Sequence, residues 1–203
     1  MSEKSILLAD DLANSSAAGR SRSHLIRDLA AEFSRRLNLS LQILYVANVQ
    51  KILPSKAIRD KVQKKDKASL GFLQEEMSHY PVKTQIKLKD GEPVETILKQ
   101  EEEWAPLEMV VLGSQGKKGI TKAIIGSVSE EVLRHSVVPV LILGPTARLN
   151  KFELPIEDPL RILLLTDLSA ASVPAEEYAM SLASRLKASL TVCYSVGHQI
   201  YQI

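Results

Sequence analysis

Short apolar runs alternate with longer amphipathic stretches through the first 143 residues of this chain. Ser5–Asp10 (SILLAD) has the length of a strand, and residues 12–23, rich in Ala, Ser, Asn and Gly, read as a loop. Leu25, Ile26, Leu29, Phe33 and Leu37 then recur at helical spacing. Leu39–Val46 returns to period two, with Leu41, Ile43 and Tyr45 on one face. Residues 54–79 are helical in pattern and highly charged, with Pro54 suited to a first turn and the lysines at 61–67 forming a solvated face. Lys83–Lys89 alternates again and places Thr84, Ile86 and Leu88 on one side. Asp90-Gly91-Glu92-Pro93 is a turn that opens a helix running to about Trp104. Leu107–Leu112 reads as a buried strand, Ser127–Ser136 as a helix and Val137–Leu143 as a closing strand.

Strands that alternate with helices argue for a parallel sheet covered on both faces. Right-handed crossovers turn that order into an α/β fold with an open, doubly wound, mostly parallel five-stranded sheet. Ligands of such sheets sit beyond the carboxyl ends of the strands, near the point where the strand order reverses. Two features fall at carboxyl ends here. Asp10 and Asp11 close the first strand, and a glycine-containing loop follows Leu112.

The pattern restarts after a proline-bearing stretch at 145–158. Arg161-Ile-Leu-Leu-Leu-Thr-Asp167 repeats Ser5-Ile-Leu-Leu-Ala-Asp-Asp11, and residues 177–192 repeat the pattern of residues 28–43. Asp167 pairs with Asp11 at an offset of 156 and Leu186 with Leu37 at 149, so the first copy carries seven extra residues, placed in the loop at 14–23. The expected organisation is a complete domain over 1–144, a linker over 145–158 and an incomplete second β-α-β copy over 159–203. The second copy has no glycine loop, so a second nucleotide site is not expected there.

Composition narrows the function classes. A net charge of +2, with 25% charged residues, leaves no electrostatic footprint for nucleic acid, and 4% aromatics offers no stacking platform for single strands. No apolar run approaches the roughly 20 residues of a membrane span, and the opening residues have no signal-peptide pattern. One cysteine, Cys193, excludes an intrachain disulfide and suits a reducing, cytoplasmic setting. Its place in an apolar strand predicts a buried, inert thiol. The four histidines have no metal-ligand spacing, and no nucleophile–base arrangement or carboxylate pair stands out, so no catalytic or metal-binding residues are assigned.

The most informative chemistry is Gly113-Ser-Gln-Gly116, nine residues, then Gly126-Ser127. Glycines allow positive φ and close approach of the backbone, and a helix that begins at Ser127 offers free N–H groups and a positive dipole end. Such a loop can cradle phosphates, with Ser127 as an N-cap or a phosphate donor. Lys117, Lys118 and Lys122 lie within the loop, as phosphate partners or as solvated side chains, but no Ser/Thr follows a Gly-Lys pair as in a Walker loop.

This spacing, with the acidic end of the first strand, Gly91-Glu-Pro and Val138-Pro-Val-Leu-Ile, resembles the universal stress protein family, whose motif is G-x-x-G-x9-G-[ST]. The resemblance covers residues 4–144 and the start of another copy at 160–196. It implies an adenine nucleotide alpha hydrolase-like fold and a stress-response protein that binds ATP, ADP or AMP, with or without Mg2+. By resemblance, Asp11 contacts the base or ribose, Ala9 and Val46 flank the adenine, and the Leu112–Gly113 backbone faces the ribose and phosphates. Gly116, Gly126, Ser127 and the N–H of Val128 hold the phosphates. The resemblance also implies a homodimer through the strand Val138–Leu143, and the missing strands of the second copy point to a truncated chain or to exchange of the C-terminal unit with another subunit. Two other readings use the same residues: a slow ATPase or phosphotransferase, and a nucleotide-free interaction module whose crevice is filled by the insertion after Asp11.

Overall fold

In the computed structural model, which describes residues 4–10, 17–47, 70–104, 106–114, 125–144 and 160–194, five strands form one parallel sheet. They are β1 (Ser5–Asp10), β2 (Ser40–Ala47), β3 (Thr84–Asp90), β4 (Leu107–Gly113) and β5 (Val140–Leu143), in the order β3-β2-β1-β4-β5. The helices are α1 (Ala17–Leu37), a helix that includes residues 70–78 (α2), α3 (Pro93–Glu103) and α4 (Ser127–His135). The α/β reading from the sequence holds. The chain runs outward from β1 through β2 to β3, then returns to the other side for β4 and β5. The order therefore reverses between β1 and β4, and their carboxyl ends flank the switch point. No described helix is long and apolar enough to cross a membrane.

Alternation along the strands divides the core in two. Leu7 and Leu44 pack with Val110 and Leu112 against Ile97 of α3 and Val132 of α4. Ile6, Leu8, Leu41 and Ile43 point the other way, on the face where α1 supplies buried Ile26 and Ala30. Local chemistry fixes the start of α3. Pro93 occupies the first turn, and the Glu92 carboxylate accepts the N–H of Glu95 at 2.9 Å. A side chain at Gly91 would place its Cβ 2.6 Å from Thr96 Oγ1, so the turn requires glycine there.

The closing strand begins at Val140, three residues later than its apolar run suggests. Buried Glu101 of α3 is the cause. Its Oε1 accepts the N–H groups of Val137 and Val138 at 2.8 and 3.1 Å and the Ser136 hydroxyl at 3.1 Å. Backbone donors held by a carboxylate are not available to a ladder.

Residues 154–203 form a separate compact unit. Its described part is β6 (Arg161–Thr166), α5 (Val173–Leu186) and β7 (Ser189–Tyr194), and the two strands are parallel. Ile162 stands beside Leu190 as Ile6 stands beside Leu41, the same register at the repeat offsets. One turn has a clear electrostatic signature. The Asp167 carboxylate accepts the Ser172 hydroxyl and the N–H of Ser169, which hold its pKa at about 2.

Two expectations are corrected by these packings. Residues 17–23 are helical, not a loop. α1 has 21 residues and α5 has 14, and both end at equivalent leucines followed by a left-handed residue, Asn38 (φ 54) and Lys187 (φ 52). The seven extra residues are therefore two added turns at the start of α1, about 10 Å of helix. Cys193 is exposed, not buried. Among the described residues β7 pairs with β6 alone, and α5 is the one helix of this unit packed on the two strands. The same lack of cover leaves Leu163 61% exposed, whereas Leu7, its counterpart in the first copy, is 0% exposed beneath α3 and α4.

Candidate functional site

A cavity of about 280 Å³ opens at the carboxyl ends of β1, β2 and β4. Its walls differ in chemistry. Ala9, Leu44, Val46, Ile97 and Leu112 form an apolar side, and Gly113, Ser114, Gly126, Ser127 and Ser129 form a side of small polar residues and backbone. Ser23 and Ile26 of α1, Asp10 of β1, Tyr45, Pro93 and Val128 complete the lining.

The apolar wall exists because strand ends place consecutive side chains on opposite faces. Leu7 goes into the core below, and Ala9, two residues on, reaches the rim. The polar wall is assembled by hydrogen bonds at the tips of β4 and β5. Ser114 donates its N–H at 2.9 Å and its hydroxyl at 3.0 Å to the carbonyl of Leu143. The Ser129 hydroxyl donates to the carbonyl of Gly113 at 3.1 Å, which fastens the first turn of α4 to the end of β4.

The N-cap of α4 is Gly126, and Ser127 is the first helical residue. This differs from the expectation of a Ser127 cap. Gly126 has φ −66 and ψ 153, a conformation any residue adopts, so positive φ is not what requires glycine here. Gly113 likewise has room for a Cβ, which would lie 3.5 Å from Ile26 Cδ1. With glycine at the cap, no side chain caps the helix, and its first three residues, Ser127, Val128 and Ser129, line the cavity with N–H groups that have no intrahelical acceptor.

Of the residues singled out from the sequence, Ala9, Val46, Leu112, Gly113, Gly126, Ser127 and Val128 come together in the walls of this one cavity. Asp11, Gly116 and the loop lysines Lys117, Lys118 and Lys122 lie outside the described residues. Sequence reasoning missed Arg27. Its side chain is 8% exposed, and its Nε donates to Asp10 Oδ2 at 2.6 Å and its Nη1 to Glu76 Oε2 at 2.9 Å. Arg27 stands three, four and seven residues before Ala30, Ala31 and Ser34, all buried, so it lies on the inward stripe of α1. Asp10 is the sole carboxylate among the described lining residues, and this guanidinium engages it.

Around this pair α1 and α2 share a polar seam. His24 Nδ1 lies 2.8 Å from Glu76 Oε1, and the Tyr80 hydroxyl donates to Asp28. Burial, and then the Asp28 carboxylate, push the Tyr80 pKa well above its usual value. Farther along α1, burial works to raise the carboxyl of Glu32, but hydrogen bonds from Arg35 and Arg36 hold it below the usual carboxylate range.

The model of the universal stress protein family matches residues 4–144. The chain belongs to the universal stress protein family. Universal stress protein YxiE of Bacillus subtilis (strain 168) is 33% identical over 86 residues, which span 42% of this chain and 57% of that protein. The chain thus matches little more than half the length of this relative. Among solved structures, a universal stress protein from Archaeoglobus fulgidus DSM 4304 aligns at a TM-score of 0.72 and 22% identity, over 98% of this chain and 70% of that chain. A second A. fulgidus universal stress protein, solved in complex with dAMP, aligns at 0.52 and 18% identity, over 70% of this chain and 98% of its own. These likenesses show the fold. The universal stress protein domain of this chain contains the whole five-stranded sheet and the cavity.

Proposed function

We propose that this universal stress protein is a cytoplasmic stress-response regulator that binds an adenine nucleotide, ATP, ADP or AMP, in the switch-point cavity. The observation that carries this reading is the pairing of an apolar slot with an uncapped helix start at one crevice. In this pose the base lies between Ala9, Val46 and Leu112, with Asp11 at the base or ribose. The phosphates lie at Gly113, Gly116, Gly126, Ser127 and the N–H of Val128. Mg2+ accompanies the triphosphate. The structure of a family member with dAMP supports an adenine nucleotide as the ligand class.

Magnitudes show why both walls are needed. Micromolar binding requires about 8 kcal/mol. The helix dipole contributes only about 0.3–1 kcal/mol. Burying roughly 150 Å² of a base against the apolar wall contributes about 4 kcal/mol. Hydrogen bonds from the α4 N–H groups to charged phosphates, each about 1.5–3 kcal/mol, supply the remainder. The reading is binding rather than hydrolysis, because the carboxylate at the described wall is held by Arg27 and is not placed as a free base.

Calorimetric titration with ATP, ADP and AMP, with and without magnesium, is the test. Heat saturating at one nucleotide per chain is expected. No heat and no thermal shift with any of the three would refute the reading.

The second unit is read as a universal stress protein-like β-α-β copy in a tandem arrangement. β5 is the last strand of the described sheet order, and the family reading pairs two copies through it, with exchange of the C-terminal unit as the other route. Light scattering at micromolar concentration should give twice the 22.4 kDa chain mass; a monomeric mass would exclude the dimer.

A further inference from the structure

Three ionisable side chains from three elements meet behind the crevice wall. Arg27 of α1 reaches Asp10 at the end of β1 with one nitrogen and Glu76 of α2 with another, at 2.6 and 2.9 Å. The Asp10 side chain is 1% exposed. A pair this buried contributes little net stability over well-packed apolar residues, while breaking it on one side is costly. What it supplies is geometry. The rigid fork of a guanidinium holds two carboxylates in one arrangement, which a flexible ammonium does not. The same stretch of α1 supplies Ser23 and Ile26 to the cavity wall, and Asp11 follows Asp10 directly in the chain.

The internal repeat makes the point independently. In the second unit the Thr166 hydroxyl donates to Glu176, and these residues stand at the repeat offsets from Asp10 and Arg27. The partners are 17 residues apart in the first copy and 10 in the second, a difference equal to the two added turns of α1. A tie from strand end to helix thus persists across the insertion. Among the described residues, its fully charged form, extended to a third element, occurs in the unit that has the cavity.

We propose that Arg27 is a positioning residue of the nucleotide crevice. By joining Asp10 to Glu76 it sets the α1 wall against the end of β1, and it makes nucleotide binding and the docking of α2 one linked equilibrium. This rests on the nucleotide reading above. Linkage is reciprocal: if docked α2 favours the nucleotide, bound nucleotide favours docked α2.

The test uses the full chain with the double variant Asp10→Leu/Arg27→Met, which replaces the buried pair by apolar side chains and leaves Glu76, partly exposed at the seam, beside His24. ATP and inorganic tripolyphosphate are titrated separately, and hydrogen exchange of residues 70–78 is followed with and without ATP. The expected result is a loss of about tenfold or more in ATP affinity, with tripolyphosphate changed by less than about twofold. The protection that ATP confers on residues 70–78 in the wild type should vanish in the variant, and Arg27→Lys should retain part of the affinity. ATP binding as tight as in the wild type, or parallel loss of ATP and tripolyphosphate, would overturn the inference alone. Wild-type protein that binds no nucleotide overturns the nucleotide reading and this inference with it. If the double variant does not fold, Glu76→Leu decides: loss of the ATP-dependent protection supports the linkage, and its retention overturns it.

Discussion

Gly126→Asp should abolish nucleotide binding, with the heat of ATP titration falling to the buffer baseline while the circular dichroism spectrum stays unchanged. Gly126 is the N-cap of α4 and has an extended backbone, so aspartate fits the position without strain. Aspartate is moreover a favoured N-cap, and stability should change by no more than about 0.5 kcal/mol. The substitution acts on the ligand. A cap carboxylate accepts the N–H groups of the second and third helical residues, Val128 and Ser129, and the Val128 N–H is a donor proposed for the phosphates. It also sets a negative charge beside the phosphates. Two like charges 4 Å apart cost about 4 kcal/mol at an effective dielectric constant near 20, enough to turn micromolar into about millimolar binding. Gly126→Ala lacks both effects and should bind more tightly than Gly126→Asp. Normal binding by Gly126→Asp would remove the start of α4 from the phosphate site.

Glu101→Ala should lower the stability of the first unit by about 2 kcal/mol, read as a shift of the urea midpoint with unchanged slope. The carboxylate is buried and is the acceptor for two backbone N–H groups and one hydroxyl in the turn between α4 and β5. Removing it takes the acceptor from the Val137 N–H, at about 1–3 kcal/mol, whereas the Ser136 hydroxyl keeps the Val138 carbonyl and the Val138 N–H keeps Ser136 Oγ. Glu101→Gln keeps an acceptor oxygen in the same place and should cost less, about 1 kcal/mol. Equal midpoints for the wild type and Glu101→Ala would show that this carboxylate does not hold the turn. The turn fixes the end of α4, so Glu101 supports from below the helix whose first residues line the cavity.

Much of the fold was legible in the chain because its strands are short apolar runs bounded by turn residues. Ser5–Asp10 and Arg161–Thr166 appear in the structure with the limits their patterns suggest. Seven of the nine residues proposed for the nucleotide line one cavity, since each sits at the end of a strand or the start of a helix on the same edge of the sheet. Those positions follow from element order together with the rule that parallel crossovers put every carboxyl end on one side.

The missed features have a common cause. Residues 17–23 have no apolar periodicity, and Gly19 among them has a poor helix propensity, so nothing local marks them as helix. The local sequence of Cys193 is as apolar as that of a core strand, yet exposure depends on whether a helix lies over it. Arg27 reads as a surface charge until Asp10 and Glu76, which are 17 residues before it and 49 after, are brought to either side of it. The sequence by itself determined the strands, most of the helices, the repeat and the glycine–serine edge, because periodicity and turn chemistry act over a few residues. Tertiary structure alone decided the strand order, the added turns of α1, the cover on each sheet face and the buried guanidinium, because each depends on contacts between segments far apart in the chain.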